Sequence, residues 1–288
     1  MQYIDFLKKN TKNFCDPNGN YLFSDDRINI ENDCIDEKID LDKKEETKIH
    51  RKLLPQPVIG DLKNGKIFIC SLNPGFGDKN YENEKSIREE LLNQLEQKNN
   101  PSMFWLKDDF KDTDGGQYWR NKLNQKDEKK SLVMEICRKY KKVGEKITDE
   151  DINKVFNWLS RSIVALELFP YHSKRMKKSL LKKCKNENKN GSVDNMLRFV
   201  HEELIPNAQN NNQIICFTRS IKDWSNWTVD NEKIEIEKLN NPKVFYNDKN
   251  HCQNITYNVT IKNGLGEFIL KYICKLTNGF NIPLDDIN

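Results

Sequence analysis

Two short segments place polar and aromatic side chains directly after apolar runs of the sequence. The first run, 65–73, is rich in Ile and Phe and ends at Asn73, which is followed by Pro-Gly-Phe-Gly. The Asn73 amide could hold a water molecule or hydrogen-bond to the edge of a base. Gly75 would let backbone N–H groups approach a ligand closely. A side-chain cap of the following turn is the structural alternative for Asn73.

The second segment belongs to the apolar run 161–169, which contains a glutamate. Glu167 is expected to face a polar site or to pair with a basic side chain, because an isolated buried carboxylate is unfavourable. After Pro170, Tyr171 offers an aromatic surface and His172 a titratable hydrogen-bond donor. An ordinary hydrogen-bonded loop histidine is the structural alternative for His172.

These segments need a scaffold that brings their ends together, and the apolar pattern predicts one. Runs rich in β-branched and aromatic residues predict four buried strands, at 65–73, 161–169, 213–218 and 243–247. Amphipathic patterns predict helices, at 86–98, 131–143, 148–160, 192–206 and 265–276. Ser86 is expected to begin the first helix, and Thr148 and Asp151 to form a capping box at the third.

The alternation of strands and helices indicates an α/β protein. It predicts a three-layer α/β/α fold with a short, mainly parallel, four-stranded central sheet. Ligands bind such sheets outside the carboxyl ends of the strands, which is where Asn73 and residues 167–173 lie. Residues 1–55 are predicted to form an N-terminal extension or cap, and residues 56–288 the α/β domain.

The composition limits the classes of function. The chain has 48 basic and 44 acidic residues and a net charge of +4. No stretch approaches the roughly 20 apolar residues of a membrane span, and the N-terminus lacks a signal-peptide pattern, so a cytoplasmic location is expected. None of the eight cysteines forms a Cys-x-x-Cys pair. Neither a disulfide framework, a metal nor a cofactor is therefore expected.

Residues 174–189 form a basic segment with eight basic residues and one acidic residue. Such a run is a candidate contact for the phosphate backbone of DNA. A solvated helix face is the alternative interpretation. The basic residues at the start of the segment, which lie closest to the second apolar run, are Lys174, Arg175, Lys177 and Lys178.

The strand ends 73–77 (Asn-Pro-Gly-Phe-Gly) and 167–173 (Glu-Leu-Phe-Pro-Tyr-His-Ser) together resemble the uracil-DNA glycosylase superfamily. The first resembles motif one of its single-strand-selective and mismatch-specific branches, and the second the strand end that reads a pyrimidine. The aromatic segment 103–123, with the strand that follows it, is similar to a bacterial group that includes a phage-defence glycosylase acting on glucosylated hydroxymethylcytosine. The resemblance covers roughly residues 60–275.

The resemblance implies the fold of that superfamily and the activity of a DNA glycosylase. Such an enzyme flips a base out of DNA, stacks an aromatic ring on it and hydrolyses its N-glycosidic bond without a metal. Asn73 would position the attacking water or the base. The residues expected around the base are Gly75, Phe76, Glu167, Tyr171 and His172, with Phe104 and Trp105 as further stacking candidates.

Glu167 occupies the place of the asparagine with which the superfamily reads its base. An ionised carboxylate can only accept hydrogen bonds, so it favours an exocyclic amino group such as N4 of cytosine. The expected substrate is therefore a modified cytosine rather than uracil. A protonated Glu167 would read a carbonyl instead.

One departure from the superfamily lies after the fourth predicted strand. The second motif of the family is His-Pro-Ser-Pro or close to it, whereas this chain has Asn-His-Cys-Gln-Asn at 250–254. His251 matches the catalytic histidine, and Gln253 and Asn254 would reach the DNA, but the prolines are absent.

Two hypotheses about function remain open after this departure. The chain is an active glycosylase of single- or double-stranded DNA, with a role in anti-phage defence, or it is an inactive nucleic-acid-binding or sensor protein. A different α/β hydrolase or a nucleotide-binding enzyme is disfavoured, because neither GxSxG nor GxxxxGK[ST] occurs. The sequence makes no prediction of the oligomeric state.

Overall fold

The computed structural model describes residues 2–12, 14–27, 30, 47–77, 79–124, 131–142, 144–187, 190–208, 210–211, 213–218, 220–225, 227–229, 232–234, 236, 239 and 244–246. The strands are β1 Val58–Ile59, β2 Ile67–Ser71, β3 Ile163–Glu167, β4 Ile214–Phe217, β5 Trp227–Val229, β6 Glu232–Ile234 and β7 Val244–Tyr246. Five of them form one sheet in the order β1-β3-β2-β4-β7, and β5 pairs with β6.

The centre of this sheet is parallel. β2 lies between β3 and β4 and is parallel to both, and β4 is parallel to β7. Every residue of β2 is buried, as is typical of parallel strands covered on both faces. The α/β class and the four predicted strands are thus confirmed, each strand being one or two residues shorter at either end. The two-residue β1, antiparallel to β3, was not predicted.

The helices are α1 Gln2–Thr11, α2 Asn80–Glu96, α3 Asp114–Leu123, α4 Leu132–Tyr140, α5 Asp149–Ser162, α6 Lys178–Glu187, α7 Ser192–Arg198, α8 Ile205–Asn207 and α9 Ile221–Ser225. A π-helical segment, Phe199–Leu204, joins α7 to α8. Short 3-10 helices form at Ser24–Asp26, Phe104–Leu106 and Asp108–Phe110. The predicted helix 265–276 lies outside the described residues.

Two helices differ from the prediction at positions that matter for the site. α2 begins at Asn80, six residues before the predicted start, and Ser86 Oγ donates to the Asn83 carbonyl oxygen inside the helix instead of capping it. The aromatic segment 103–123, where no helix was predicted, contains α3. This helix is capped by Thr113, whose hydroxyl accepts from the Gly116 N–H. Adjacent glycines at its start had hidden the helical pattern.

The α5 capping box was predicted correctly. The Thr148 hydroxyl accepts from the Asp151 N–H, and the Asp151 carboxylate accepts from the Thr148 N–H. These reciprocal bonds satisfy two N–H groups that the helix itself leaves unpaired. They begin the helix that leads directly into β3.

The described residues of the N-terminal segment belong to the same hydrophobic core as the sheet. α1 buries Tyr3, whose ring stacks on Phe199 at a centroid distance of 5.3 Å. Asp26 is buried and accepts from the Tyr171 hydroxyl at 2.6 Å and from the Ser192 N–H at 2.9 Å. The core therefore runs without a break across the boundary predicted at residue 55.

Within the described part of the chain, no helix is both long and apolar enough to cross a bilayer. The same residues hold no group of three or more His, Cys, Asp or Glu side chains placed to bind a metal ion.

Candidate active site

A cavity of about 390 Å³ lies at the carboxyl ends of β2 and β3. This volume is within the range of about 300–1,000 Å³ that is usual for small-molecule sites. Its walls come from the lead-in to β1, the loops after β2 and β3, α2, and Trp105 with α3. The predicted site residues that line it are Asn73, Gly75, Phe76, Glu167, His172 and Lys174.

Asn73 ties together the loops that follow β2 and β3. Its Nδ2 lies 2.9 Å from the Pro74 carbonyl oxygen and 3.1 Å from both the carbonyl oxygen and Oγ of Ser173. The side-chain nitrogen thus has a structural role, as the turn-capping alternative implies. Among the described residues none donates to Oδ1, which can only accept hydrogen bonds. The Asn73 amide therefore adds an acceptor to the site.

His172 also contacts the loop that follows β2. Its side chain is buried, and Nδ1 lies 2.9 Å from the Gly75 carbonyl oxygen. Because a carbonyl only accepts, Nδ1 is assigned the proton and Nε2 the lone pair. Burial lowers the pKa of His172 from 6.5 to about 4, so the ring is neutral at pH 7. The expectation of a titratable donor is thus corrected, because the N–H of the neutral ring is used on Gly75.

Gly75 and Phe76 form the part of this loop that borders the cavity. A Cβ built on Gly75 would meet no atom within 4 Å, so the protein's own packing does not require glycine there. The Phe76 ring stacks on His50 at a centroid distance of 3.4 Å and an interplanar angle of 6°. This stacking holds the Phe76 ring in a fixed plane at the cavity wall.

Glu167 is the last residue of β3 and stands opposite Ser71 in the parallel register. It lines the cavity together with Ala165, because alternate residues of a strand share one face. Its main-chain N–H donates to the Pro57 carbonyl oxygen at 2.9 Å. The carboxylate is therefore attached to a strand that is paired on both sides.

Two of the predicted aromatic contacts are wrong. Tyr171 is fully buried, and its hydroxyl donates to Asp26 and accepts from the Phe23 N–H, so it cannot stack on a base in the cavity. Phe104 is also fully buried and does not line the cavity, whereas its neighbour Trp105 does.

One face of α2 forms a wall that the sequence interpretation missed. Its lining residues recur every three or four positions, as one helix face requires: Asn80, Asn83, Glu84 and Ile87. Glu84 accepts from the Leu54 N–H at 2.8 Å and from Arg88 Nη1 at 3.0 Å. Burial raises the pKa of Glu84, and these bonds oppose the rise. A predicted helix that began at residue 80 would have placed these four residues on one face and identified the wall.

One face of α3 forms another wall, which was also missed. Its lining residues are Asp114, Gly115, Tyr118 and Trp119. A Cβ on Gly115 would lie 2.7 Å from the Trp105 ring, so only glycine lets α3 pack this closely on Trp105. The width of the cavity on this side depends on that contact.

The basic segment begins at the cavity rim. Lys174 lines the cavity and is exposed, as are Arg175 and Lys178, whereas Lys177 is half-buried. α6 continues the segment with exposed lysines on its outer side, opposite the buried residues Leu180, Leu181 and Cys184.

Three predicted site residues, His251, Gln253 and Asn254, lie outside the described residues. Comparison of the chain with protein-family models, with curated proteins and with solved structures found no match.

Proposed function

We propose that this protein is a DNA glycosylase with the three-layer fold of the uracil-DNA glycosylase superfamily. It would flip a modified or damaged base, preferably a modified cytosine, out of DNA and hydrolyse its N-glycosidic bond. The observation that carries the proposal is the convergence of Asn73, Phe76, Glu167 and His172 on one base-sized cavity. These residues come from two loops far apart in sequence, and the parallel sheet brings them together.

The order of the strands supports the three-layer arrangement. The chain crosses from β2 to β3 in one direction and from β3 past β2 to β4 in the other. Because such crossovers are right-handed in nearly all proteins, connections in opposite directions place their helices on opposite faces of the sheet.

The site supplies the interactions that base excision needs. Asn73 Oδ1 accepts a hydrogen bond from the attacking water, Phe76 stacks on the flipped base, and Glu167 accepts from its amino group. Negative charge develops on the departing base and has to be stabilised by a donor. The resemblance assigns that role to His251. The exposed basic residues at the rim, from Lys174 onward, bind the phosphate backbone.

A second candidate is an inactive DNA-binding or sensor protein. The three acceptors around Asn73 Nδ2 favour it, since they show that this residue has a structural role independent of chemistry. In this case the cavity would bind a base without cleaving it.

A base-excision assay distinguishes the two candidates. The protein is incubated with DNA that contains uracil, unmodified cytosine, hydroxymethylcytosine or glucosylated hydroxymethylcytosine, and abasic sites are then cleaved with hot alkali. We expect cleavage at a modified cytosine, and its loss in Asn73→Ala. Binding without cleavage on every substrate would support the sensor, and absence of DNA binding would contradict both candidates.

Ser173→Ala is the matched control for the structural role of Asn73. It removes one acceptor of Nδ2 without removing Oδ1, and Ser173 does not line the cavity. If Asn73 acts in chemistry, Ser173→Ala keeps most of the activity. If both variants lose activity in proportion to their lower melting temperatures, the role of Asn73 is structural.

A further inference from the structure

Tyr118 is a large hydrophobic side chain that is exposed to solvent. With 43% of its surface accessible, it is the exposed large hydrophobic residue among those the structure describes. It lies on the face of α3 that lines the cavity, one turn after Asp114. This exposed aromatic ring at the edge of the cavity is therefore placed to stack on a ligand that enters the cavity.

The ring is held in place by its neighbours. The Trp119 ring packs edge-on against it at a centroid distance of 5.5 Å and an angle of 86°. Lys122, one turn later and fully buried, donates to the Tyr118 hydroxyl at 3.4 Å, and its Nζ lies 5.3 Å from the ring centroid. An aromatic ring that is already oriented loses little entropy when a second ring stacks on it.

The neighbourhood limits the class of partner. Lys174, which borders the same cavity, begins the exposed basic segment, and Asp114 is exposed beside Tyr118. An apolar protein surface would have to desolvate both charges. A nucleotide strand instead supplies a planar base for the ring and phosphates for Lys174, the combination used by single-strand binding sites.

We propose that Tyr118 is a second base-binding site, on which the nucleobase next to the flipped base stacks at the cavity mouth. This inference rests on the proposed function, because it needs a DNA strand that enters the cavity. The flipped base occupies the cavity against Phe76, its neighbour stacks on Tyr118, and the phosphates of the strand run along the side of Lys174, away from Asp114.

The test uses an oligonucleotide that carries a stable abasic-site analogue with the fluorescent base 2-aminopurine on one side of it. This probe does not depend on which base is excised. Stacking on an aromatic ring quenches 2-aminopurine, so quenching by the wild-type protein is expected for one of the two flanking positions. Tyr118→Phe keeps the ring and is expected to quench in the same way.

Tyr118→Ala is expected to abolish the quenching and to weaken DNA binding roughly 5- to 150-fold, the range that follows from removing one base–aromatic stack. Its melting temperature is expected to fall, because the fully buried Lys122 loses the hydroxyl that accepts its hydrogen bond. Tyr118→Phe loses the same hydroxyl and therefore controls for this effect. Unchanged quenching and affinity in Tyr118→Ala would overturn the proposal. So would equal losses in Tyr118→Phe, since these would assign the effect to the hydroxyl.

The result separates this inference from the proposed function. If the wild-type protein excises a base and Tyr118→Ala behaves like it, only the second site is wrong. If the wild-type protein binds no DNA, the proposed function is wrong and the second site falls with it.

Discussion

At the scale of single residues, Asn73 and Glu167 supply acceptors at the ends of β2 and β3. Asn73 uses its Nδ2 and His172 its Nδ1–H to hold loops, which leaves Oδ1 of the Asn73 amide as an acceptor. Glu167 adds a carboxylate. Acceptors at these strand ends suit a ligand that presents N–H donors to them, and the amino group of a cytosine is such a donor.

Glu167→Gln tests this preference directly. The amide can donate as well as accept, so discrimination in favour of an amino-bearing base should decrease by about 1–3 kcal/mol, the contribution of one good base contact. The measurement is the ratio of kcat/KM on DNA with the modified cytosine to that on DNA with uracil. An unchanged ratio would show that Glu167 does not read the base.

His172 should make the stability of the protein depend on pH. Its folded pKa of about 4 lies below the ordinary value of 6.5, so the unfolded chain binds the proton first. Stability is therefore unaffected above pH 6.5 and decreases as the pH falls toward 4, by about 3 kcal/mol for a shift of this size.

His172→Asn should remove much of this pH dependence, since its amide nitrogen can replace Nδ1 in the bond to Gly75. The measurement is the free energy of unfolding by denaturant between pH 7 and pH 4. A smaller dependence should persist in the variant because burial also lowers the pKa of His201. Equal pH dependence in the variant and the wild type would contradict the assignment.

At the scale of elements, the contact between α3 and Trp105 sets one wall of the cavity. Gly115 allows this contact because any Cβ there would overlap the indole ring. The rest of the wall, Tyr118 and Trp119, is carried on the same helix face. Displacement of α3 would therefore move the Tyr118 and Trp119 side chains together.

Gly115→Ala should destabilise the protein by about 1–3 kcal/mol, the usual cost of overpacking, and should weaken DNA binding. Thermal unfolding and binding isotherms check both effects. Gly75→Ala is the matched control, since its new methyl group meets no atom within 4 Å. It should keep the stability of the wild type and interfere only with a bound ligand. Loss of stability in both variants would contradict this account.

At the scale of the whole molecule, the cavity and the basic segment lie at the same end of the sheet. Lys174 belongs to both, and α6 extends the cationic surface outward from the rim. Phosphate contacts there would hold a strand in register while one base enters the cavity.

The salt dependence of DNA binding tests this arrangement. Replacing Lys178 and Lys182, both exposed on α6, by Ala should make the plot of log affinity against log salt shallower, by about 0.9 for each duplex phosphate that the protein no longer neutralises. Lys63→Ala is the control, because this exposed lysine precedes the amino end of β2. If all variants share one slope, the DNA lies elsewhere.

The parts of this structure that were predictable from the sequence have local causes. The strands are continuous apolar runs, and the α5 capping box needs only Thr148 and Asp151. Burial of Tyr171 was not predictable, because it depends on Asp26, 145 residues away in the sequence. The walls from α2 and α3 were missed because α2 begins six residues before its predicted start and because no helix was predicted at α3. Which polar face of a helix borders a cavity is decided by packing against distant elements.

The central position of β2 has a consequence for how the chain folds. Ile67 pairs with Ile163 on one side and with Ile214 on the other, so the middle of the sheet joins residues that are far apart in the sequence. Closure of such long loops costs entropy before any pairing is gained, and folding is correspondingly slow. On the ribosome, the apolar strand Ile67–Ser71 is synthesised before β3 and β4, and it stays unpaired until both have emerged. It is the segment that a chaperone is expected to protect.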